Sequence, residues 1–282
     1  MIKILGKIEL PQQAKEREGI SRTQASEQAF LSMEAKRQEN IALLRDRLVH
    51  LGANPYSVDE RGAIRAEIFK KSLGGFIPDD LVDNDEKYME TTEQAFIMDG
   101  RERRDGHLAE EYIFILFNKI FLGTDYLLVR THRYDDYENG VDQLIINTKT
   151  GEVVCALDEL VENKNLPEFK RNKRFSSKLK RALKRKNGFS IKYGLVFQNG
   201  KFQSLGHLRN LAFSILRVER DKFYQAITKS DFSLETGRLY DEEKELIRSI
   251  TIFLKEQVKI FEKELDLSYD ALNDFIRFLD SV

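Results

Sequence analysis

Apolar residues follow a helical spacing between Ser21 and Gly52. They are three or four positions apart except for one gap of eight, so one face of a helix would carry them all. The positions on this face are Phe30, Met33, Ile41, Leu44, Leu48 and Leu51. Glycine commonly ends a helix, and Gly52 follows the last of these positions. The pattern predicts an amphipathic helix that needs a partner surface.

The periodicity weakens after this helix. Pro55, Gly74, Gly75 and Pro78 interrupt the next stretch, and the acidic segment after them is only weakly periodic. We expect connectors around short helices here, so that residues 1–104 form a mainly helical N-terminal region.

A different pattern begins at Gly106. Residues 107–122 are apolar around most of a helical circumference, which predicts a helix covered on more than one side. Three runs with β character follow at residues 126–132, 140–147 and 152–159. The last two flank Thr148-Lys149-Thr150-Gly151, which is typical of a hairpin turn.

A basic amphipathic helix is predicted next, capped by Ser176 or Ser177 and ended by Gly188. Residues 191–198 then predict a strand, and Asn199-Gly200 predicts a turn into a short strand at residues 201–203. The order over residues 105–204 is therefore helix, strand, strand, strand, helix, strand.

Helical patterns return in the last region, residues 205–282. Three helices are predicted, over residues 207–227, 241–265 and 269–282, and we expect them to pack on the central region.

Composition excludes several classes of protein. With 41% hydrophobic residues and a net charge of −1, the chain is neither a uniformly basic nucleic-acid coat nor wholly disordered. The single Cys155 permits no intramolecular disulfide or cysteine metal cluster, and we expect it to be a small core residue. There is no signal-peptide pattern and no apolar run long enough to span a bilayer. These features favour an intracellular, cytoplasmic protein, with a nucleoid or nuclear location left open, and no membrane partner.

Charge is distributed unevenly along the chain. Residues 164–192 contain eight Lys and four Arg against one acid, Glu168, which makes a local net charge of +11. Such a run either forms a solvated helix face or binds a phosphate backbone. The candidate nucleic-acid contacts are Lys173, Arg174, Lys178, Lys180, Arg181, Lys184 and Arg185.

The candidate chemistry lies on the predicted sheet, since the common nucleotide, zinc-protease and serine-hydrolase motifs are absent. Asp142 opens the middle strand and Asp158 ends the next. With a tight turn between the strands, Asp142 lies nearly opposite Leu157 and Asp158. Two neighbouring carboxylates repel each other, and a hard cation such as Mg²⁺ relieves the repulsion. Alternatively, Asp142 serves the turn after Gly140, and Asp158 faces solvent.

The element order and these acids resemble the PD-(D/E)xK nuclease superfamily over residues 106–203. Gly106-His107-Leu108-Ala109-Glu110 is similar to the GxxAE helix start of resolvase-like members, which favours Glu110 over Glu111. Gly140-Val141-Asp142 is similar to the acid of the second strand. Asp158-Glu159-Leu160 falls where (D/E)xK is expected, with leucine in the lysine position.

The resemblance implies an α/β fold: a restriction-endonuclease-like αβββαβ core with a mixed sheet, flanked by helical segments. It also implies a Mg²⁺- or Mn²⁺-dependent hydrolase of nucleic-acid phosphodiester bonds, with DNA the favoured substrate. Asp142, Asp158 and Glu110 would bind the metal and serve catalysis.

The missing lysine has several possible replacements. Glu162-Asn163-Lys164 matches the motif literally, but at about 3.3 Å per residue Glu162 would lie roughly 16 Å beyond Leu157, too far to share an ion with Asp142. Lys164 can still fold back, or Lys178 of the basic helix can supply the ammonium group. The remaining alternative is a degenerate site.

Two further functions therefore stay open beside the nuclease. One is a nucleic-acid-binding or complex-assembly module without catalysis, and the other is an adaptor whose basic helix contacts an acidic protein. Strand alternation predicts that Glu159 points away from Asp158. A homodimer through the helical flanks is also left open.

Overall fold

The computed structural model describes residues 24–98, 105–162, 168–185, 187–265 and 267–282. It contains a central mixed sheet with helices packed around it. The helices are α1 (Gln24–His50), α2 (Asp79–Met98), α3 (Asp105–Ile120), α4 (Glu168–Lys184), α5 (Arg220–Lys229), α6 (Asp241–Glu264) and α7 (Asp270–Asp280). The strands are β1 (Tyr126–Arg130), β2 (Gln143–Asn147), β3 (Val153–Glu162), β4 (Phe189–Gln198), β5 (Lys201–Leu211) and β6 (Phe213–Glu219).

The main sheet has four strands in the order β1-β2-β3-β6. The first three form an antiparallel meander, and β6 pairs with β3 in parallel. The mixed α/β architecture expected from the sequence is thus confirmed.

The hairpin between β2 and β3 is confirmed as well. Asn147 Oδ1 accepts hydrogen bonds from the backbone N–H groups of Lys149 (2.9 Å) and Thr150 (3.1 Å). Gly151 has a φ of +82°, and a Cβ there would collide with the carbonyl oxygen of Phe197, so glycine is required at this turn.

The prediction of a helix over residues 207–227 is wrong. This segment completes β5, passes through the whole of β6 and enters a helix only at Arg220. Strand β6 is mostly buried on both faces, and its apolar residues, Phe213, Ile215, Leu216 and Val218, do not alternate strictly. Such a short segment does not distinguish a strand from a buried helix by its period.

The expected fourth strand of the core has a different partner. Residues 191–198 do form a strand, β4, but β4 pairs with β5 in a separate two-stranded sheet, and the predicted short strand at residues 201–203 extends to Leu211. The parallel neighbour of β3 is β6. The connection between them consists of α4 and the β4–β5 hairpin.

The helices at both ends of the chain agree with their patterns. In α1, Met33, Ile41, Leu44 and Leu48 are buried, and α6 and α7 bury their apolar faces in the same core. Helix α4 begins at Glu168, so the predicted cap at Ser176 or Ser177 is wrong, because these serines lie inside the helix.

Side chains of the helices also complete the sheet. Gln257 of α6 donates to the carbonyl of Ile215 (2.7 Å) and accepts from its N–H group (2.9 Å). These bonds occupy the edge of β6 that faces away from β3. Cys155 of β3 is buried as expected. None of the described helices has the length and apolar character needed to cross a bilayer.

Candidate functional site

The hairpin brings Asp142 and Asp158 to the same end of the β2–β3 pair. Gln143 is paired with Leu157, and the Asp142 N–H group donates to the Leu157 carbonyl (2.7 Å), so Asp142 and Asp158 occupy facing positions. The Asp142 carboxylate accepts a hydrogen bond from the backbone N–H of Glu159 (2.7 Å). Burial opposes ionisation, but hydrogen bonding from Glu159 and the charge of Lys178 lower the pKa of Asp142 below its usual value.

Asp158 is buried against two cations of α4. Lys178 Nζ donates to Asp158 Oδ1 and to the carbonyl oxygen of Glu159 (3.0 Å), and an Arg181 nitrogen lies 3.4 Å from Asp158 Oδ2. Burial and the charge of Asp142 nevertheless raise the pKa of Asp158 to about 7, against the opposing effect of Lys178. The structure thus places the predicted substitute, Lys178, directly at one of the predicted acids.

Glu159 is the most constrained acid of the site. Its side chain is only 8% exposed, and neither carboxylate oxygen has a hydrogen-bond donor. The group within hydrogen-bonding reach is the carboxylate of Asp142, and two carboxylates bond only when one of them carries a proton. Burial, followed by the charge of Asp142, raises the pKa of Glu159 well above its usual value.

Successive strand residues face opposite sides, and the contacts agree with this rule. Asp158 lies against the basic helix α4, whereas Glu159 lies near Asp142 and Glu110 of α3. The sequence predicts Asp158 as the β3 acid of the site. In the structure, Glu159 is the β3 acid that lies near both Asp142 and Glu110.

Glu110 and its neighbour Glu111 are separated by the geometry of α3. The charge of Glu110 contributes to the raised pKa values of Asp136 and Glu159, so it lies near both. Glu111 instead accepts two hydrogen bonds from Arg37 of α1 (2.7 and 2.6 Å). Glu110 is therefore the α3 acid at the site.

Asp136 is an acid that the sequence patterns missed. It lies on a π-helical segment, Asp135–Asn139, which connects β1 to β2. Burial and the charges of Asp142 and Glu110 raise the pKa of Asp136 well above its usual value. Single π-helical turns recur at functional sites. The only signal in the sequence is the run of acids in Arg133–Asp142, which has the wrong spacing for a calcium loop and no other period to interpret.

Asp135 anchors this segment to β4. Its carboxylate accepts hydrogen bonds from the backbone N–H groups of Lys192 (2.7 Å) and Tyr193 (2.9 Å) and from the side-chain amide of Asn139 (2.7 Å). Gly140 ends the segment with a φ of +64°, and a Cβ there would collide with the guanidinium group of Arg181. Asp136 is thus presented by a backbone that is fixed at both ends.

The basic helix α4 divides its cations between packing and solvent. Lys180, Arg181 and Lys184 are exposed. Arg185 instead donates to the Asn139 carbonyl (3.3 Å) and stacks over the ring of Phe189, so it belongs to the packing of the fold. The side chains of Lys173 and Arg174 lie outside the described part of the chain, and so does all of Lys164.

Two other candidate positions are structural. Leu160, in the motif lysine position, is buried in the core. Glu162 is held by two hydrogen bonds from Arg217 of β6, one of 2.9 Å, which agrees with its exclusion from the site.

The donor set suits a hard cation. Carboxylate oxygens are the preferred ligands of Mg²⁺ and Mn²⁺. The oxygens of Glu159, beside Asp142, have no hydrogen-bond partner, so a cation would stabilise them. As the side chains stand, no three His, Cys, Asp or Glu groups in the described part of the chain converge closely enough to hold an ion. Lys178 supplies the positive charge at Asp158, and burial together with the charge of Asp142 raises the pKa of Glu159.

Comparison with known proteins yields no match to this chain among family models, curated sequences or solved structures.

Proposed function

We propose that the protein is a metal-dependent nuclease that hydrolyses phosphodiester bonds, with DNA as the favoured substrate. The observation that carries this proposal is the pair of buried, unpartnered oxygens on Glu159. They lie near Asp142 and Glu110, and the preceding residue of the same strand, Asp158, contacts the cations of α4. Burying such a group is costly unless a ligand compensates it.

The arrangement of elements supports the same proposal. Helix α3 precedes a three-stranded meander, a basic helix follows it, and the next strand of the sheet runs parallel to β3. We propose on this basis a PD-(D/E)xK-like core in which the β4–β5 hairpin is an insertion before the last strand.

Each group has a role in this proposal. Asp142, Glu159 and Glu110 would hold Mg²⁺ or Mn²⁺, with Asp158 and Asp136 adjacent. A bound ion of this kind supplies Lewis-acid polarisation of a phosphoryl oxygen. Lys178 keeps a fixed positive charge beside the acids, suited to the charge that develops on a transferring phosphoryl group. The exposed cations Lys180, Arg181 and Lys184 would hold the phosphate backbone.

Cleavage of labelled DNA and RNA by the pure protein tests this assignment. We expect cleavage that requires Mg²⁺ or Mn²⁺ and stops on chelation. Asp142→Asn and Glu159→Gln should each lower it by at least about a hundredfold, the loss typical of removing one electrostatic contact to a transition state. Glu152→Gln is the matched control, because Glu152 is an exposed acid at the turn of the same hairpin. Equal activity in all four proteins would contradict the assignment.

The second candidate is a nucleic-acid-binding or complex-assembly module that does not cleave. Leu160 favours it, because a buried leucine occupies the place of the motif lysine. Binding without cleavage of any DNA or RNA form, in either metal, would support this alternative. We propose an intracellular location for either candidate.

A further inference from the structure

Helix α2 is an acidic element that lies against a set of cations. It carries seven acids and one lysine, Lys87. Four of these acids pair with cations outside the helix, and two others, Asp80 and Glu90, are exposed. The cationic groups that α2 contacts are Arg61, Lys70, His132, Arg133 and Lys192.

Two acids of α2 make the contacts nearest to the candidate site. Glu93 pairs with both Arg61 (2.5 Å) and Arg133. Glu86 accepts from His132 Nε2 (2.7 Å) and lies 3.7 Å from Arg133. His132 and Arg133 directly precede the segment that presents Asp136, so these ion pairs lie at the border of the acidic site.

Tyr137 places the C-terminal half of α2 beside the site. The charges that act on its hydroxyl group include Asp136 and Glu110 of the site and Glu93 of α2. Burial and then these charges raise the pKa of Tyr137 to about 12. One side chain is therefore close to both the acidic site and the helix that covers the neighbouring cations.

Over residues 79–95, few apolar side chains attach α2 to the core. Among residues 79–95, only Val82 and Met89 are buried. The other attachments are ion pairs and hydrogen bonds, such as Asp85 to Lys192 (2.5 Å) and to Tyr193 (2.6 Å). Salt weakens partly exposed ion pairs, and elements with few buried apolar contacts open at lower cost than a core element does.

We propose that α2 covers a second phosphate-binding surface, formed by Arg61, His132, Arg133 and Lys192, and that a nucleic-acid backbone displaces it. This inference rests on the proposed function, because it extends the nucleic-acid contact of that site. Carboxylates and phosphates compete for the same donors, and the arginine fork fits a phosphate as well as it fits a carboxylate. The acids of α2 thus compete with phosphate groups for these cations. They keep the covered surface inaccessible until a polyanion of higher charge density binds.

The double variant Glu86→Gln/Glu93→Gln tests the competition. It removes the ion pairs to Arg61 and Arg133 and leaves the site acids unchanged. The matched control is Asp80→Asn/Glu90→Gln, which removes the same charge from exposed positions of the same helix. Affinity for fluorescein-labelled single-stranded and duplex DNA is measured by anisotropy over a range of salt concentrations.

We expect the inner-face variant to bind about tenfold more tightly than the control, with a slope of log affinity against log salt that is steeper by about 2, close to one unit for each freed arginine. Equal affinities and equal slopes for the two variants would overturn the proposal.

Hydrogen exchange of the wild-type chain gives a second readout that needs no substitution. Saturating DNA should accelerate exchange of the amides of α2, and unchanged or slower exchange would count against displacement. Lys180→Ala/Lys184→Ala separates the two proposals. If this variant binds DNA weakly while the two α2 variants have equal affinities, the proposal of a covered surface is wrong and the proposed function stands. If no form of the protein binds DNA or RNA, both proposals fail.

Discussion

Glu159 is the residue at which the energetic cost of burying several acids together is clearest. It is buried, it has no hydrogen-bond donor, and its nearest polar neighbour is another acid. A folded-state pKa above the unfolded value means that folding is favoured while the group is protonated. The contribution of protonated Glu159 to the free energy of unfolding is fully present below the unfolded pKa of about 4.3. It is lost as the pH rises through the folded pKa.

Glu159→Gln should therefore stabilise the protein in the presence of a chelator. A neutral amide can donate to Asp142 and carries no charge to bury. The free energy of unfolding should increase by about 1–3 kcal/mol at pH 8, the cost of one unsatisfied buried polar group, and should change little at pH 4. Urea unfolding at both pH values measures the difference.

The control for this comparison is Glu152→Gln, an exposed change that we expect to stay within about 0.5 kcal/mol. A lower free energy of unfolding for Glu159→Gln at pH 8 would show that the carboxylate of Glu159 does not destabilise the protein.

At this scale the sequence was informative where spacing decides the outcome. Hairpin register alone placed Asp142 opposite Asp158, and strand alternation placed Glu159 away from Asp158. Asp136 was out of reach, because a π-helical turn has no repeat in the sequence and its position depends on Asp135 reaching β4.

The π-helical segment Asp135–Asn139 is the element on which the site geometry depends most. It is short, and it makes no regular ladder with its neighbours. The carboxylate of Asp135 supplies the attachment, through three hydrogen bonds to Lys192, Tyr193 and Asn139. An element of this kind is positioned by its anchors and not by its own stability.

Asp135→Ala should accordingly destabilise the protein by about 3 kcal/mol, near 1 kcal/mol for each hydrogen bond lost. The substitution should also reduce cleavage, because the segment that presents Asp136 is released. Thermal unfolding and the nuclease assay measure the two effects. Glu138→Ala is the matched control from the same segment: Glu138 is exposed and accepts one hydrogen bond, from Tyr88 (2.8 Å). Similar losses in both variants would argue against a specific anchor.

The strands show where pattern reading fails for an element. The meander was predictable because turn residues separate its runs. Strand β6 was not, since its four apolar residues do not alternate strictly with polar ones and continue into the helical spacing of α5. Only the pairing with β3, which is distant in sequence, selects the strand.

On the scale of the whole molecule, one buried cation joins the central helix to the C-terminal region. Lys119 of α3 is fully buried and pairs with Asp231 (2.8 Å) and Glu243 (3.4 Å). Glu243 also accepts from Ser230 (2.7 Å) and from the N–H group of Tyr240 (2.8 Å). The network holds the start of α6 against the core.

Lys119→Met should destabilise the protein by about 3–5 kcal/mol, because it leaves the buried carboxylate of Glu243 without a counter-charge. The double variant Lys119→Met/Glu243→Gln should recover part of this loss. Calorimetry of both proteins measures the coupling. The exposed pair Lys255–Asp280 serves as the comparison, and Lys255→Met should cost no more than about 1 kcal/mol. A loss no larger in Lys119→Met would exclude a stabilising network.

The bonds from Gln257 to Ile215 have a consequence for how copies of this chain meet. An unpaired outer strand is a template on which a neighbouring chain can extend a sheet. Here the amide of Gln257 occupies the N–H and carbonyl groups of Ile215, and at the opposite side of the sheet Ile64 donates to the carbonyl of Arg130 (3.1 Å). Both flanks of the sheet thus have backbone groups already in use, so we expect self-association to proceed through side chains of the outer helices, and fibrillar growth to require the loss of α6 first.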